Sequence, residues 1–264
     1  MAKVGEDLGE LMSETIENQL AHRSVRRFDT QPISPEVLAQ LKEATRRTAT
    51  SCGVQMASII QVNDPEKKRQ ISVVSNQDYI AEAPQLWIFL TDLYRSYRIV
   101  EEKGEQTASV RGMDGFFQGF TDAVLMAQNL VNAAESLGLG TCFLGSILND
   151  PARMIEILQL PKLTFPALGV MFGYPGQQPQ LKPRMPLELR MFEDIYRCFE
   201  GSYLQEFADY DQEMTTYYDT RAHGQRSDTF TDSLTRIMLR DAPLRRGMLN
   251  AVRAQGFDLA LQPR

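Results

Sequence analysis

The chain has 264 residues, of which 43% are hydrophobic and 23% are charged, so it is long enough to bury a sizeable core. A formal net charge of −6 argues against a protein that coats nucleic acid, because such a protein presents an overall basic face. Three cysteines without a Cys-x-x-Cys pair and only two histidines argue against a disulfide framework and a metal centre. We therefore expect reduced thiols in a cytoplasmic protein, and no apolar run reaches the roughly 18 residues of a membrane span.

Helices and strands alternate in the hydrophobic pattern of the first 175 residues. Helical periodicity and capping residues predict helices over residues 7–21 and 116–137, and helix starts at Ser34, Asp64 and Asp150. Short apolar or β-branched stretches predict strands over residues 57–62, 85–91, 141–148 and 166–173. The stretch 85–91 is apolar throughout, which predicts a central strand covered on both faces. The strand–helix–strand order of residues 141–173 predicts a right-handed crossover between parallel strands.

The chain changes character after residue 175. Four prolines between residues 175 and 186 predict a stiff, extended segment. From about residue 202 the sequence becomes helical, with an apolar stripe formed by Tyr203, Phe207, Tyr210, Met214 and Tyr217. Two further helices are expected over residues 228–240 and 242–254. We expect one domain, with a core over about 16–200 and a helical extension over about 201–264 that wraps a partner subunit.

Familiar catalytic motifs are missing. The sequence has no GxGxxG after a strand, no GxxxxGK[ST] and no GxSxG, and its two histidines lie far apart. We therefore predict no catalytic side-chain nucleophile and no metal. Any chemistry is expected to reside in a bound cofactor.

Two short basic clusters are the candidate binding motifs. Residues 22–26 place several hydrogen-bond donors within five positions, which suits a phosphate monoester that guanidinium groups bind bidentately. The alternative is a solvated basic turn at a helix C-terminus, where positive charge complements the helix dipole. Residues 182–184 form the second cluster, for which an ordinary surface loop is the alternative. Sequence spacing alone leaves both alternatives open.

Several segments match one family pattern in chain order. They cover residues 22–28, 49–55, 77–84, 122–130, 135–145, 172–175 and 182–186. Together they resemble the nitroreductase superfamily, and in detail its branch of NADPH-dependent flavin reductases and oxygen-insensitive nitroreductases. The similarity spans about residues 16–240. It implies an α+β fold in which helices wrap a mixed central β-sheet, an intertwined homodimer, and FMN bound non-covalently at the dimer interface.

The resemblance also assigns residues to the cofactor. The implied ligands of the FMN phosphate are His22, Arg23, Ser24, Lys182 and Arg184, with Arg26 near the phosphate or the pyrimidine side of the ring. The implied ring contacts are Thr50, Ser51 and Cys52 at the edge, Gln77 and Tyr79 at the polar rim, and Leu144, Gly145 and Ser146 as a backbone wall. Cys52, Gly53 and Ser146 depart from the residues that are common in the family, which leaves the shape of the pocket open.

Two tail arginines match positions that bind the second substrate in this branch. The resemblance implies that Arg221 and Arg226 bind the 2′-phosphate of NADPH, and a dianionic phosphate favours two guanidinium groups. Helix-end arginines on the surface are the alternative.

The implied activity is a ping-pong transfer of hydride from NADPH to FMN, and then of two electrons to an acceptor. The expected acceptors are free flavins, quinones, nitroaromatics or azo compounds. We expect small-molecule partners and a homodimer, and neither nucleic acid nor membrane. Two alternatives stay open: a non-catalytic protein that binds or stores FMN, and a superfamily member with other flavin chemistry such as reductive dehalogenation.

Overall fold

A four-stranded sheet lies at the centre of the computed structural model, which describes residues 13–106, 108–221 and 228–259. The strands are β1 (Ala57–Gln61), β2 (Gln85–Asp92), β3 (Gly140–Leu144) and β4 (Thr164–Gly173). Their order is β1-β2-β4-β3, and every neighbouring pair is antiparallel. β2 and β4 are buried along almost their whole length, as expected for central strands that are apolar on both faces.

Eleven α-helices accompany the sheet in the described ranges. They are α1 (Glu14–Leu20), α2 (Pro35–Arg46), α3 (Pro65–Ser75), α4 (Tyr94–Glu102), α5 (Met113–Ser136), α6 (Pro151–Leu158), α7 (Tyr203–Glu206), α8 (Ala208–Arg221), α9 (Phe230–Met238), α10 (Pro243–Arg246) and α11 (Met248–Ala254). None of them combines the length and the apolar character that crossing a bilayer requires. The α+β class expected from the sequence is confirmed.

The helices that start with proline begin where the sequence predicts. Ser34 accepts a hydrogen bond from Val37 N at 3.3 Å and caps α2, and Asp64 and Asp150 cap α3 and α6 in the same way. The predicted strand over residues 141–148 is too long, because the chain turns into a 3₁₀ helix at Gly145–Asn149.

The predicted parallel crossover over residues 141–173 is wrong. β3 and β4 are antiparallel neighbours, with Thr141 opposite Phe172, because the 3₁₀ turn and the short helix α6 reverse the chain at one end of the sheet. In the described part of the chain, parallel pairing to this sheet is limited to one bridge, between Ser24 and Thr141. The sheet is expected to combine parallel and antiparallel pairs, and this bridge at the β3 edge is its parallel part.

Apolar layers cover both faces of the sheet. Successive side chains of β2 point to opposite faces. Trp87 and Phe89 pack in the layer that contains α2 and α5, whereas Ile88 and Leu90 pack in the layer that contains α3 and α6. The long helix α5 thus lies along one face of the sheet, and its polar side chains reach both sheet edges.

The chain divides into two compact units, Met1–Pro179 with Ala242–Arg264, and Gln180–Asp241. In the second unit, the ring of Phe230 stacks on Phe207 at 5.7 Å and lies 5.1 Å from that of Tyr210. Asp211 accepts hydrogen bonds from Thr231 N at 2.9 Å and Thr231 Oγ1 at 2.5 Å, which fixes the start of α9 on α8.

Candidate functional site

The basic segment, residues 22–28, runs along the outer edge of β3. Val25 N donates to Thr141 O at 2.8 Å, next to the bridge between Ser24 and Thr141. The buried Val25 side chain packs directly on Gly140, where a Cβ would come within 2.7 to 2.9 Å of three Val25 atoms. Only glycine therefore allows this approach, and the segment is fixed at the sheet edge.

Glu135, near the end of α5, orients the start of the basic segment. Its Oε1 lies 2.7 Å from His22 Nδ1 and accepts from Thr141 Oγ1 at 2.5 Å. The half-buried imidazole thus has Nδ1 occupied, and Nε2 makes no hydrogen bond to a described residue. Arg23 is exposed, pairs with no described residue, and lines a cavity of about 310 Å³ together with Glu135 and Gly138.

Arg26 lies beside the half-buried Tyr79 and the buried Cys142. Burial raises the pKa of Tyr79, an effect that Cys142 adds to and that the hydrogen bond from Arg26 partly offsets. Burial also raises the pKa of the Cys142 thiol, so this thiol is neutral at neutral pH. The neighbours Tyr79 and Cys142 are uncharged and do not neutralise the positive charge of Arg26. This charge can therefore attract an anionic or electron-rich ligand.

The turn that follows β3 joins this group. Leu144 is the buried last residue of β3, and Ser146 Oγ donates to Gln77 Oε1 at 2.9 Å. Gly145 is exposed, with no atom within 4 Å of the position that a Cβ would take. Its backbone is therefore open to close approach by a ligand.

Arg245 is a residue that sequence reasoning missed. Its Nη1 donates to Gly145 O and to Asn149 Oδ1, both at 3.2 Å, and so holds the turn after β3. The sequence carried no signal for it, because one partner is a backbone carbonyl 100 positions away.

Thr50, Ser51 and Cys52 lie at the opposite edge of the sheet, in the connection that leads into β1. The buried Asp122 of α5 accepts from Ser51 N at 2.8 Å and from Met56 N at 3.0 Å. Asp122 and Glu135 are thirteen positions apart on α5, about 20 Å along the helix axis. Two strands separate β1 from β3, so the two edges themselves lie about 14 Å apart across the sheet.

Within one chain, the structure thus brings Arg26 of the basic segment beside Tyr79, and Gln77 beside the turn after β3. It does not bring Thr50, Ser51 and Cys52 to them. Within the described ranges, no three His, Cys, Asp or Glu side chains group as a metal site would require.

Lys182 and Arg184 belong to the second compact unit. Arg184 Nη1 donates to Lys182 O at 2.9 Å, and Lys182 Nζ lies 5.8 Å from the ring centroid of Tyr218 on α8. Tyr210 Oη donates to Pro183 O at 3.3 Å, so this cluster packs on α8.

The side chains of the two tail arginines, Arg221 and Arg226, lie outside the part of the chain that the structure describes. Arg221 is the last residue of α8, and its side chain lies outside what the structure describes. Arg226 lies outside the described residues altogether.

Comparisons with known proteins agree with this architecture. The nitroreductase family model matches residues 20–174, and the model of the C-terminal domain of the nitroreductase family matches residues 182–260. An FMN reductase (NADPH) of Bacillus subtilis is 37% identical over 229 residues, 86% of this chain and 92% of that protein. An NADPH-dependent oxidoreductase of Staphylococcus saprophyticus is 38% identical over 250 residues, 93% of this chain and 99% of that protein.

Solved structures give the same result. The NfrA1 nitroreductase of B. subtilis superposes with a TM-score of 0.86 at 35% identity, covering 92% of this chain and 99% of that one. The NADPH:FMN oxidoreductase of Vibrio harveyi, complexed with NAD⁺, superposes with a TM-score of 0.81 at 30% identity, covering 93% and 99%. The chain belongs to the nitroreductase family, as its motifs predict.

Proposed function

We propose that this protein is an NADPH-dependent FMN oxidoreductase. It oxidises NADPH and reduces a second small molecule by two electrons, in a ping-pong sequence. The candidate acceptors are free flavins, quinones, nitroaromatics and azo compounds. The observation that carries the proposal is the group at the β3 edge, where Arg26 lies beside Tyr79, and Gln77 accepts from Ser146 next to the exposed Gly145. The names of the relatives support the same activity.

The residues present fit FMN. Arg23 and Ser24 offer a cation and a hydroxyl to a phosphate, and Nε2 of His22 is available beside them. The Gln77 amide carries both a donor and acceptors, as the pyrimidine edge of a flavin requires. Lys182 and Arg184 would add positive charge to the phosphate. Bound FMN would supply the two-electron redox chemistry of the site.

The side chains contribute binding and electrostatics. Arg26 places a positive charge at the rim of the site, which favours a cofactor that gains negative charge on reduction. The exposed Gly145 backbone lets a planar ring approach the turn closely. Because none of the described side chains stands out as a general acid, we infer that protons come from water or from the flavin. Arg221 and Arg226 would bind the 2′-phosphate of NADPH.

We further propose a homodimer whose two sites each combine residues of both chains. The basic segment, Gln77 and the turn after β3 would come from one chain, and the loop with Thr50, Ser51 and Cys52 from a second copy. The separation of about 20 Å along α5 supports this arrangement, because it places the two groups at opposite edges of the sheet within a single chain. The three free cysteines and the use of NADPH are consistent with a cytoplasmic enzyme.

Anaerobic reduction tests the activity. The purified protein should be yellow, NADPH should bleach its flavin band, and a quinone or nitroaromatic should restore the band. A yellow protein that NADPH fails to bleach would instead be a flavin-binding or storage protein. Bleaching by NADPH without reoxidation by these acceptors would indicate other flavin chemistry, such as reductive dehalogenation.

A further inference from the structure

The loop between α2 and β1 has an unusual backbone. Cys52, Gly53 and Gln55 have φ values of 50°, 70° and 59°. A positive φ suits glycine but is uncommon for cysteine and glutamine, so this shape needs support from the surrounding structure. We call residues 51–56 the ring-edge loop. Residues 52–55 of this loop are exposed.

Asp122 supplies support at both ends of the ring-edge loop. Its side chain is 1% exposed, and its two oxygens accept from Ser51 N and Met56 N, the amides that flank the positive-φ residues. These are its only hydrogen bonds within the described part of the chain. A buried carboxylate that pairs with amides instead of a cation is expensive to bury, which points to a geometric role.

Two further side chains support the same loop. Arg95 of α4 donates through Nη2 to Gln55 O and through Nη1 to Ser58 Oγ at 3.2 Å. Gln118 of α5 accepts from Ser51 Oγ at 3.0 Å. The base of the loop is thus fixed from two helices, while its middle is exposed.

We propose that Asp122 is a positioning residue for the flavin reaction: it fixes the ring-edge loop in the shape that the cofactor site of a second copy requires. The role rests on the proposed function. Asp122 acts through the Ser51 and Met56 amides and touches neither cofactor nor substrate. A carboxylate that only attached α5 to the sheet would change stability and leave the cofactor environment unaltered.

Asn129 provides a matched control on the same helix. Its Nδ2 donates to Ala44 O at 2.7 Å and to Thr48 Oγ1 at 3.0 Å. It connects α5 to the end of α2 and to the chain that follows it, close to the segment that Asp122 holds. It makes no hydrogen bond to the ring-edge loop, so its loss should cost stability without reshaping that loop.

The test compares Asp122→Asn with Asn129→Ala in the holoenzyme. The asparagine keeps one acceptor but places an amide NH₂ against the second backbone N–H, so the base of the loop must shift. We expect Asp122→Asn to raise the FMN dissociation constant about tenfold, the effect of losing one hydrogen bond to a charged group. It should also change the visible circular dichroism of bound FMN and speed hydrogen exchange over residues 50–57. Asn129→Ala should lower the melting temperature without these three changes.

The outcomes separate the two proposals. If wild-type protein binds no FMN or is not bleached by NADPH, the proposed function fails and the positioning role falls with it. If wild-type protein is bleached but Asp122→Asn matches Asn129→Ala in FMN affinity and dichroism, the positioning role alone is wrong.

A second variant covers the case in which Asp122→Asn does not fold. The side chain of Arg95 is 48% exposed, so Arg95→Met should leave a folded protein. It removes the bond to Gln55 O and should produce the same changes in dichroism and hydrogen exchange, more weakly. Unchanged spectra and exchange in Arg95→Met would overturn the proposal.

Discussion

The two edges of the sheet present opposite kinds of surface. At the β3 edge, the basic segment offers side chains, with Arg23 exposed and Arg26 beside Tyr79. At the β1 edge, the ring-edge loop offers a backbone shape that the buried Asp122 fixes. In the proposed cofactor site, one edge therefore supplies charge and the other supplies shape. Substitutions at the first edge should change affinity while the fold persists, whereas those at the second should change the shape of the pocket.

The largest effect is expected from removing charge at the β3 edge. Arg23→Ala should yield largely colourless protein, because the FMN phosphate loses a guanidinium anchor. The FMN-to-protein ratio after purification measures this. Arg27→Ala is the control, since Arg27 is exposed, donates to Gln177 Oε1 at 3.2 Å and has no assigned ligand. Stoichiometric FMN in Arg23→Ala would remove the phosphate role.

Mixed dimers test whether the two edges of different chains share a site. Arg23→Ala in one chain and Cys52→Trp in the other should each disable their own homodimer. A heterodimer should regain about one FMN per two chains, because one of its two sites is free of both substitutions. Absorbance of the separated heterodimer measures this. Failure to regain FMN would show that each site lies within one chain.

A smaller effect is expected at the tail. Arg221→Ala should raise the KM for NADPH severalfold and leave the KM for NADH nearly unchanged, because only NADPH carries the 2′-phosphate. Steady-state kinetics with both substrates measure the contrast. Equal effects on the two nucleotides would argue that Arg221 has no part in recognising this phosphate.

The smallest effect is expected at Arg245. Arg245→Ala removes the hydrogen bonds to Gly145 O and Asn149 Oδ1, and should raise the FMN dissociation constant only a few-fold because Arg245 is exposed. Fluorescence titration of released FMN measures this, with the exposed Arg253→Ala as the control. A change as large as that of Arg23→Ala would make Arg245 a direct ligand instead of a support for the turn.

Local features of the fold could be predicted from the sequence. Ser34, Asp64 and Asp150 cap helices that begin with proline, and the stretch 85–91 forms a central strand. The pairing of β3 with β4 could not, because strand direction depends on where the intervening chain packs. Residues 141–173 have the same order of elements in a parallel crossover and in the observed antiparallel pair.

Some residues of the candidate site could likewise be predicted from the sequence, and others could not. The residues of the basic segment stand out by charge and by family resemblance. Asp122 lies in the matching segment 122–130, but neither its role nor that of Arg245 shows in the sequence, because their partners are backbone groups 66 to 100 positions away and leave no pattern of spacing. Residues that support a site through the main chain are therefore the part that sequence reasoning misses.

The helix α5 limits which mutations this protein can accept. Asp122 and Glu135 support opposite edges of the sheet from one uninterrupted helix. A single residue inserted between them would rotate one relative to the other by about 100° and shift it by about 1.5 Å. Both supports could not then face their partners. The number of residues between these two positions should therefore be fixed, whereas substitutions should be tolerated at the exposed positions between them.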